Sequence, residues 1–170
     1  MIKPLNLTAE ARAALDAAEA ALSAARADGQ PYAICHSLRQ LAQRQAAALQ
    51  LAQAEQHMQQ ALRWAHAGLG ADLQVDILCD LCDLTDLWSQ AEDQLPHGQG
   101  AGDAVRERTH AYVLEACERA PAMSERGAEG RVLYRLSQVV GRCGEDELQQ
   151  WMLVRAQMLL SAAQPRTLAA

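Results

Sequence analysis

A chain of 170 residues is long enough for one sizeable hydrophobic core and short for two, so a single domain is expected. Its formal net charge of −6 and pI near 5.3 weigh against nucleic acid as a partner, because phosphate binding needs clustered Lys and Arg. Half of the residues are apolar, yet there is no Phe and aromatics make up 4%, which argues against a strand-rich fold and for an all-α one.

Taken in order, the opening stretch has Lys3 but no apolar core behind it, and no segment approaches 18 uncharged apolar residues. Neither a signal peptide nor a membrane span is expected. Five cysteines at irregular spacing fit a reducing compartment better than a disulfide framework, so the expected location is the cytoplasm. A first helix runs from about Thr8, an N-cap with Glu10 in the first turn, to about Ala27, closed by Asp28-Gly29. Pro31 starts the next, and the stretch Leu38 to Ala67 reads as two amphipathic helices ended by Gly68-Leu69-Gly70. Asp72 is read as the cap of a long helix reaching about Asp93. Residues 94–103 hold three glycines and a proline and are expected to form a flexible loop. Helices follow at about 103–120, 125–142 and 145–163, before a disordered tail from about 164.

One spacing recurs. Leu38, Leu41 and Ala42 place two large residues and a small one on one helical stripe. Leu78, Leu81 and Cys82 restate them 40 residues later, and Leu133, Leu136 and Ser137 restate them again a further 55 on. Ala54, Met58, Ala61 and Leu62 carry a matching stripe on the intervening helix, and the third copy continues through Val140, Gly144, Leu153 and Ala156. These motifs resemble the tetratricopeptide (TPR) family, whose helix pairs repeat every 34 residues, or about 40 in longer variants. Gln45 and Thr85 stand where the family often carries aromatics, and no proline closes the repeat after Trp64. The resemblance covers most of the chain. It implies an α-solenoid of antiparallel helical hairpins, with three TPR-like pairs plus a leading helix.

The most informative polar feature lies on the fourth helix. At 100° per residue, Asp72, Asp76, Asp80, Asp83 and Asp86 fall within a sector of about 120°, opposite Leu78, Leu81, Cys82, Thr85 and Trp88. Aspartate is a poor interior helix former and like charges four apart repel, so something must compensate the stripe. If the resemblance holds, the first helices of successive pairs line a concave groove. Its groove-facing places are His36, Arg39 and Gln43, then Asp76, Cys79, Asp83 and Asp86, then Arg131, Tyr134, Gln138 and Arg142. That groove is acidic at its centre and basic on both flanks, and suits a basic or bipolar peptide. Two other readings stand beside it: Arg39 and Arg131 or Arg135 neutralise the aspartates across neighbouring helices, or the carboxylates bind a divalent cation. If the stripe is a binding surface, Asp76 and Asp83 can be neutralised with little loss of stability. Some tetratricopeptide domains clamp a C-terminal carboxylate. Arg39, Gln43, Arg131 and Arg135 match that chemistry, but Asp80 replaces the clamp's asparagine and would repel the ligand.

Two constellations carry the alternative, a helical-bundle enzyme or metal-binding protein. Cys79 and Cys82 form a C-x-x-C, though without a strand before it or a second ligand pair, and Cys82 takes a small-residue packing place. Glu107 and His110 match half of a di-iron motif that needs a second copy, which the chain lacks. His57, His66 and His97 are expected to be exposed. No phosphate loop or G-x-S-x-G occurs, and no cofactor is implied. The last helix is apolar nearly all round. Leu148, Met152, Ala156, Leu159 and Ala163 supply an inward stripe, while Trp151, Leu153, Val154, Met158 and Leu160 add apolar surface elsewhere and suggest a homodimer interface. The reading is therefore a non-catalytic protein- or peptide-binding scaffold.

Overall fold

The structure, a computed structural model, describes residues 8–93, 101–125 and 127–163. It contains α1 (Ala9–Asp28), α2 (Pro31–Ala47), α3 (Leu51–His66), α4 (Ala71–Asp93), α5 (Ala101–Arg119), α6 (Ala128–Arg142) and α7 (Asp146–Ala163), with a 3₁₀ turn, Ala120–Ala122, after α5. No strand occurs among the described residues, so the chain is all-α. None of their helices is long and apolar enough to cross a membrane. The chain folds as two compact units, Met1–Leu69 and Gly70–Ala170.

In the first unit the helix signals act where they stand. Thr8 Oγ1 accepts a hydrogen bond from the Ala11 amide at 3.2 Å, satisfying one of the orphan donors of α1, and Gly29 closes the helix at φ 68°. Pro31 begins α2, where its missing N–H costs nothing. The core joins Leu15 and Leu22 of α1, Ile34, Leu38 and Leu41 of α2, and Met58 and Leu62 of α3. Each such side chain contributes roughly 1.5–3 kcal/mol on burial. Ala42, Ala54 and Ala61 are fully buried, so the backbones come close enough for the Cys35 thiol to donate to the Ala61 carbonyl at 3.3 Å. Cys35 meets Ala61 and Gln45 meets His57, hence α2 and α3 are antiparallel. No glycine stands between them, and the turn is made by Leu49 at φ 58°. A Cβ in that region costs roughly 1–2 kcal/mol.

In the second unit α4 is the central helix. It runs antiparallel to α5, with Thr85 bonded to Thr109 and Gln74 to Arg119, and parallel to α6, with Asp80 bonded to Arg135 and Asp86 to Arg142. Val75, Ile77, Leu78, Leu81 and Leu84 are all buried, as a helix packed on two sides requires. α6 starts at Ala128, later than about 125, because Gly127 takes φ 81° as its N-cap and a 3₁₀ turn intervenes. α6 then packs antiparallel on α7 through Gly130: a Cβ there would lie 2.9 Å from Leu160 Cγ and 3.1 Å from the Ala156 carbonyl. Only glycine permits that approach.

Two further boundaries differ from expectation. Asp72 is not the cap of α4 but sits inside its first turn. Its carboxylate accepts from the Ser124 amide at 3.1 Å and from the Ser124 hydroxyl at 2.8 Å, tying down the segment after α5. Ala101, Gly102 and Asp103 belong to α5 rather than to the expected loop. The rest of that loop, 94–100, and the tail from 164 lie outside the described residues.

Candidate functional site

The expected groove residues divide between the two units. His36, Arg39 and Gln43 lie on α2. His36 is exposed, stacks on Tyr32 with nearly parallel rings and bonds Gln40 at 3.0 Å. Gln43 lines a cleft of about 570 Å³ between α1 and α2, together with Gln40, Arg44 and the alanines Ala14, Ala17, Ala18 and Ala21.

The other residues are on α4 and α6, and here direct contacts bring five of them together. Arg135 Nη2 donates to Asp80 Oδ1 at 2.9 Å and Nε donates to Asp83 Oδ2 at 3.0 Å. Arg142 Nε donates to Asp86 Oδ2 at 2.7 Å, where Gln90 adds a bond at 2.9 Å. Burial alone would lower the pKa of Arg135, but the hydrogen bonds to Asp80 and Asp83 outweigh it and raise it. The compensation for the aspartate stripe is therefore a row of interhelical ion pairs, built by Arg135 and Arg142. Arg131 pairs instead with Glu125 at 2.6 Å, away from the stripe. Asp76, Tyr134 and Gln138 are exposed beside this row, and Cys79 is buried beneath it.

The ion pairs had a legible signal. Leu78 and Leu133 mark the same place in two repeats 55 residues apart, and parallel neighbours put equal repeat positions opposite one another. Asp80–Arg135 has that separation and Asp86–Arg142 is one residue off it.

Both constellations of the enzyme reading fall in this unit. Cys79 and Cys82 are buried, and burial pushes the Cys79 thiol up to about 12 and the Cys82 thiol well above its usual range. Burial thus disfavours the thiolate that nucleophilic thiol chemistry uses at both cysteines. Cys117 is likewise raised by burial to about 11. Glu107 is exposed, whereas His110 Nδ1 lies 3.0 Å from Glu145 Oε1 and joins α5 to the turn before α7. Among the described residues no three His, Cys, Asp or Glu side chains are grouped so as to hold a metal ion.

On α7, Trp151, Val154 and Met158 are exposed, while Leu153 and Leu160 are half-buried, Leu160 against Gly130. The apolar outer surface is thus narrower than the five residues expected from sequence.

Two polar pairs have no signal in the sequence reading. Gln45 is buried with its Oε1 2.7 Å from His57 Nδ1, so His57 is half-buried rather than exposed. Thr85, 40 residues further on, accepts from the Thr109 hydroxyl at 2.8 Å and donates to the Leu81 carbonyl at 2.8 Å. His66 is exposed, and His97 lies outside the described residues. No protein-family model matches the chain, and no curated protein matches it either.

Proposed function

We propose that this chain is a non-catalytic module that binds a protein or peptide partner, and that its recognition surface in the second unit is the face shared by α4 and α6. The observation that carries this reading is the ion-paired row Asp80, Asp83, Asp86, Arg135 and Arg142 with Tyr134 exposed beside it. Charged side chains held by one another are pre-organised, so a partner loses little entropy in engaging them. An exposed tyrosine in a polar surround is the amphipathic anchor that interfaces favour. The row holds three aspartates and two arginines, a formal surplus of one negative charge that suits a basic peptide.

A peptide array probed with the purified protein at low and at high salt tests the proposal. Lys- and Arg-rich peptides are expected to be retained at low salt and released at high salt. Tyr134→Ala should weaken the best of them about tenfold, roughly 1.4 kcal/mol, with an unchanged melting temperature. Retention of no peptide, or binding indifferent to Tyr134→Ala, overturns it.

A further inference from the structure

α1 and α3 carry one stripe in one register. Ala14, Ala18 and Ala21 of α1 stand 40 residues before Ala54, Met58 and Ala61 of α3, and Leu22 stands 40 before Leu62. On α3 these three places are buried in the hairpin with α2. On α1, Ala14 and Ala18 are only half-buried, Ala21 is exposed, and all three line the cleft of about 570 Å³ between α1 and α2. α1 thus presents the face of a second hairpin helix with no first helix laid on it.

The opposite wall of the cleft has a covered counterpart too. Gln40, Gln43 and Arg44 of α2 stand 95 residues before Arg135, Gln138 and Val139 of α6. α4 packs on α6 there: Arg135 is bonded to Asp80 and Asp83, and Val139 is buried. Both walls therefore match faces that a helix covers elsewhere in this chain. α3 is already engaged with α2, and no other described helix belongs to the first unit. Alanines one turn apart leave room for large side chains at the same helical spacing. Where Arg135 meets aspartates, Arg44 has no ion-pair partner among the described residues. Glu10 and Asp28 lie on the alanine face of α1 beyond either end of the cleft, so a carboxylate is favoured beside Arg44 and not at the ends.

We infer that the cleft between α1 and α2 seats an amphipathic helix of a partner protein, with leucine-like side chains on the alanines and a carboxylate flank toward Arg44. It is a second binding surface, opposite in charge preference to the α4–α6 face.

A displayed library of one-helix peptides tests this, with leucine fixed at three positions spaced four and three residues apart and the flanks varied among Glu, Gln and Lys. It is selected on the whole chain after depletion on Ala21→Trp, which fills the cleft from its exposed floor. The helices that remain are expected to carry Glu on one flank, to bind Ala21→Trp at least tenfold more weakly, and to keep their affinity for Tyr134→Ala, which alters the other face. Arg44→Glu should exchange the preference, losing Glu-flanked helices and gaining Lys-flanked ones. Arg44 is exposed, so this variant decides the question even if Ala21→Trp fails to fold. No helix surviving the depletion, survivors flanked by Lys, or a preference that Arg44→Glu leaves unchanged overturns the proposal. So does a mass near twice 18.4 kDa by light scattering that Ala21→Trp halves, since a second copy would then fill the cleft.

Discussion

α2 and α4 carry the same stripe, Leu38-Leu41-Ala42 and Leu78-Leu81-Cys82, and each forms an antiparallel hairpin with the helix that follows it. They differ in what lies on the other side. α4 also packs lengthwise on α6, and along that contact its polar face is a row of ion pairs. The buried polar place of the repeat differs as well: an amide held to an imidazole in one hairpin, two hydroxyls in the other. The same apolar template thus tolerates two polar solutions, and the cost of disturbing each depends on whether its partner can find another bond.

The largest effect is expected in the ion-paired row. Arg135→Ala removes the guanidinium bonded to Asp80, whose side chain is 11% exposed, and to Asp83 as well. Breaking a fully buried pair costs roughly 3–5 kcal/mol, but Arg135 is 40% exposed and water will screen part of the loss, so about 2–3 kcal/mol is expected. Asp83→Asn, harmless if the stripe were only a binding surface, should then destabilise too. Chemical denaturation of both variants checks this, and stabilities within about 0.5 kcal/mol of the unmodified protein would mean that the row is ornamental to the fold.

The second test separates the two hairpins. Gln45→Leu takes the 2.7 Å acceptor from the half-buried His57 Nδ1, leaving it only the Gln53 carbonyl, and should cost about 1–2 kcal/mol. Thr85→Val should cost less, under about 1 kcal/mol, because the Thr109 hydroxyl already lies 3.0 Å from the Val105 carbonyl and can donate there instead. Equal losses in the two variants, read from the same denaturation curves, would remove the distinction.

How much of this was legible follows from what each residue advertises. Helix starts and stops are local chemistry, and Thr8, Gly29 and Pro31 act where they stand. Asp72 shows the limit of local reading: an aspartate near a helix start resembles a cap, but its carboxylate is used by Ser124, 52 residues away. The aspartate stripe was visible by periodicity alone, and its need for compensation by electrostatics. Which arginine supplies it follows only from laying one repeat on the other. The Gln45–His57 bond had no signal of either kind, because neither residue breaks a hydrophobic pattern or carries a fixed charge. On α7, periodicity could show that the helix is apolar nearly all round, but not that Gly130 makes room for Leu160.

The smallest expected effect is a pH dependence confined to the first unit. The pKa of His57 is lowered from 6.5, by burial first and by the positive charge of Arg26 second, against the opposing influence of Glu19 and the Gln53 carbonyl. Protonation need not break the bond to Gln45, since Nδ1 can donate in either state; what disfavours the cation is its surroundings. A histidine whose folded pKa is depressed takes up its proton more readily when unfolded, so between the folded pKa and 6.5 the unfolded chain binds more protons. Stability is then complete above that window and declines as pH falls through it. Thermal melts at pH 7.5 and pH 5 should show a lower melting temperature at the lower pH, by an amount that shrinks in His57→Gln. Carboxylates contribute their own acid sensitivity in both proteins, so the readout is the difference between the two pH responses, not either alone. The Thr85–Thr109 pair has no group that titrates here, and replacing Thr109 by Val should leave the pH response as it is. An identical pH response in the unmodified protein and His57→Gln would show that the imidazole is solvated in the folded state, and would reduce the contrast between the hairpins to hydrogen-bond geometry.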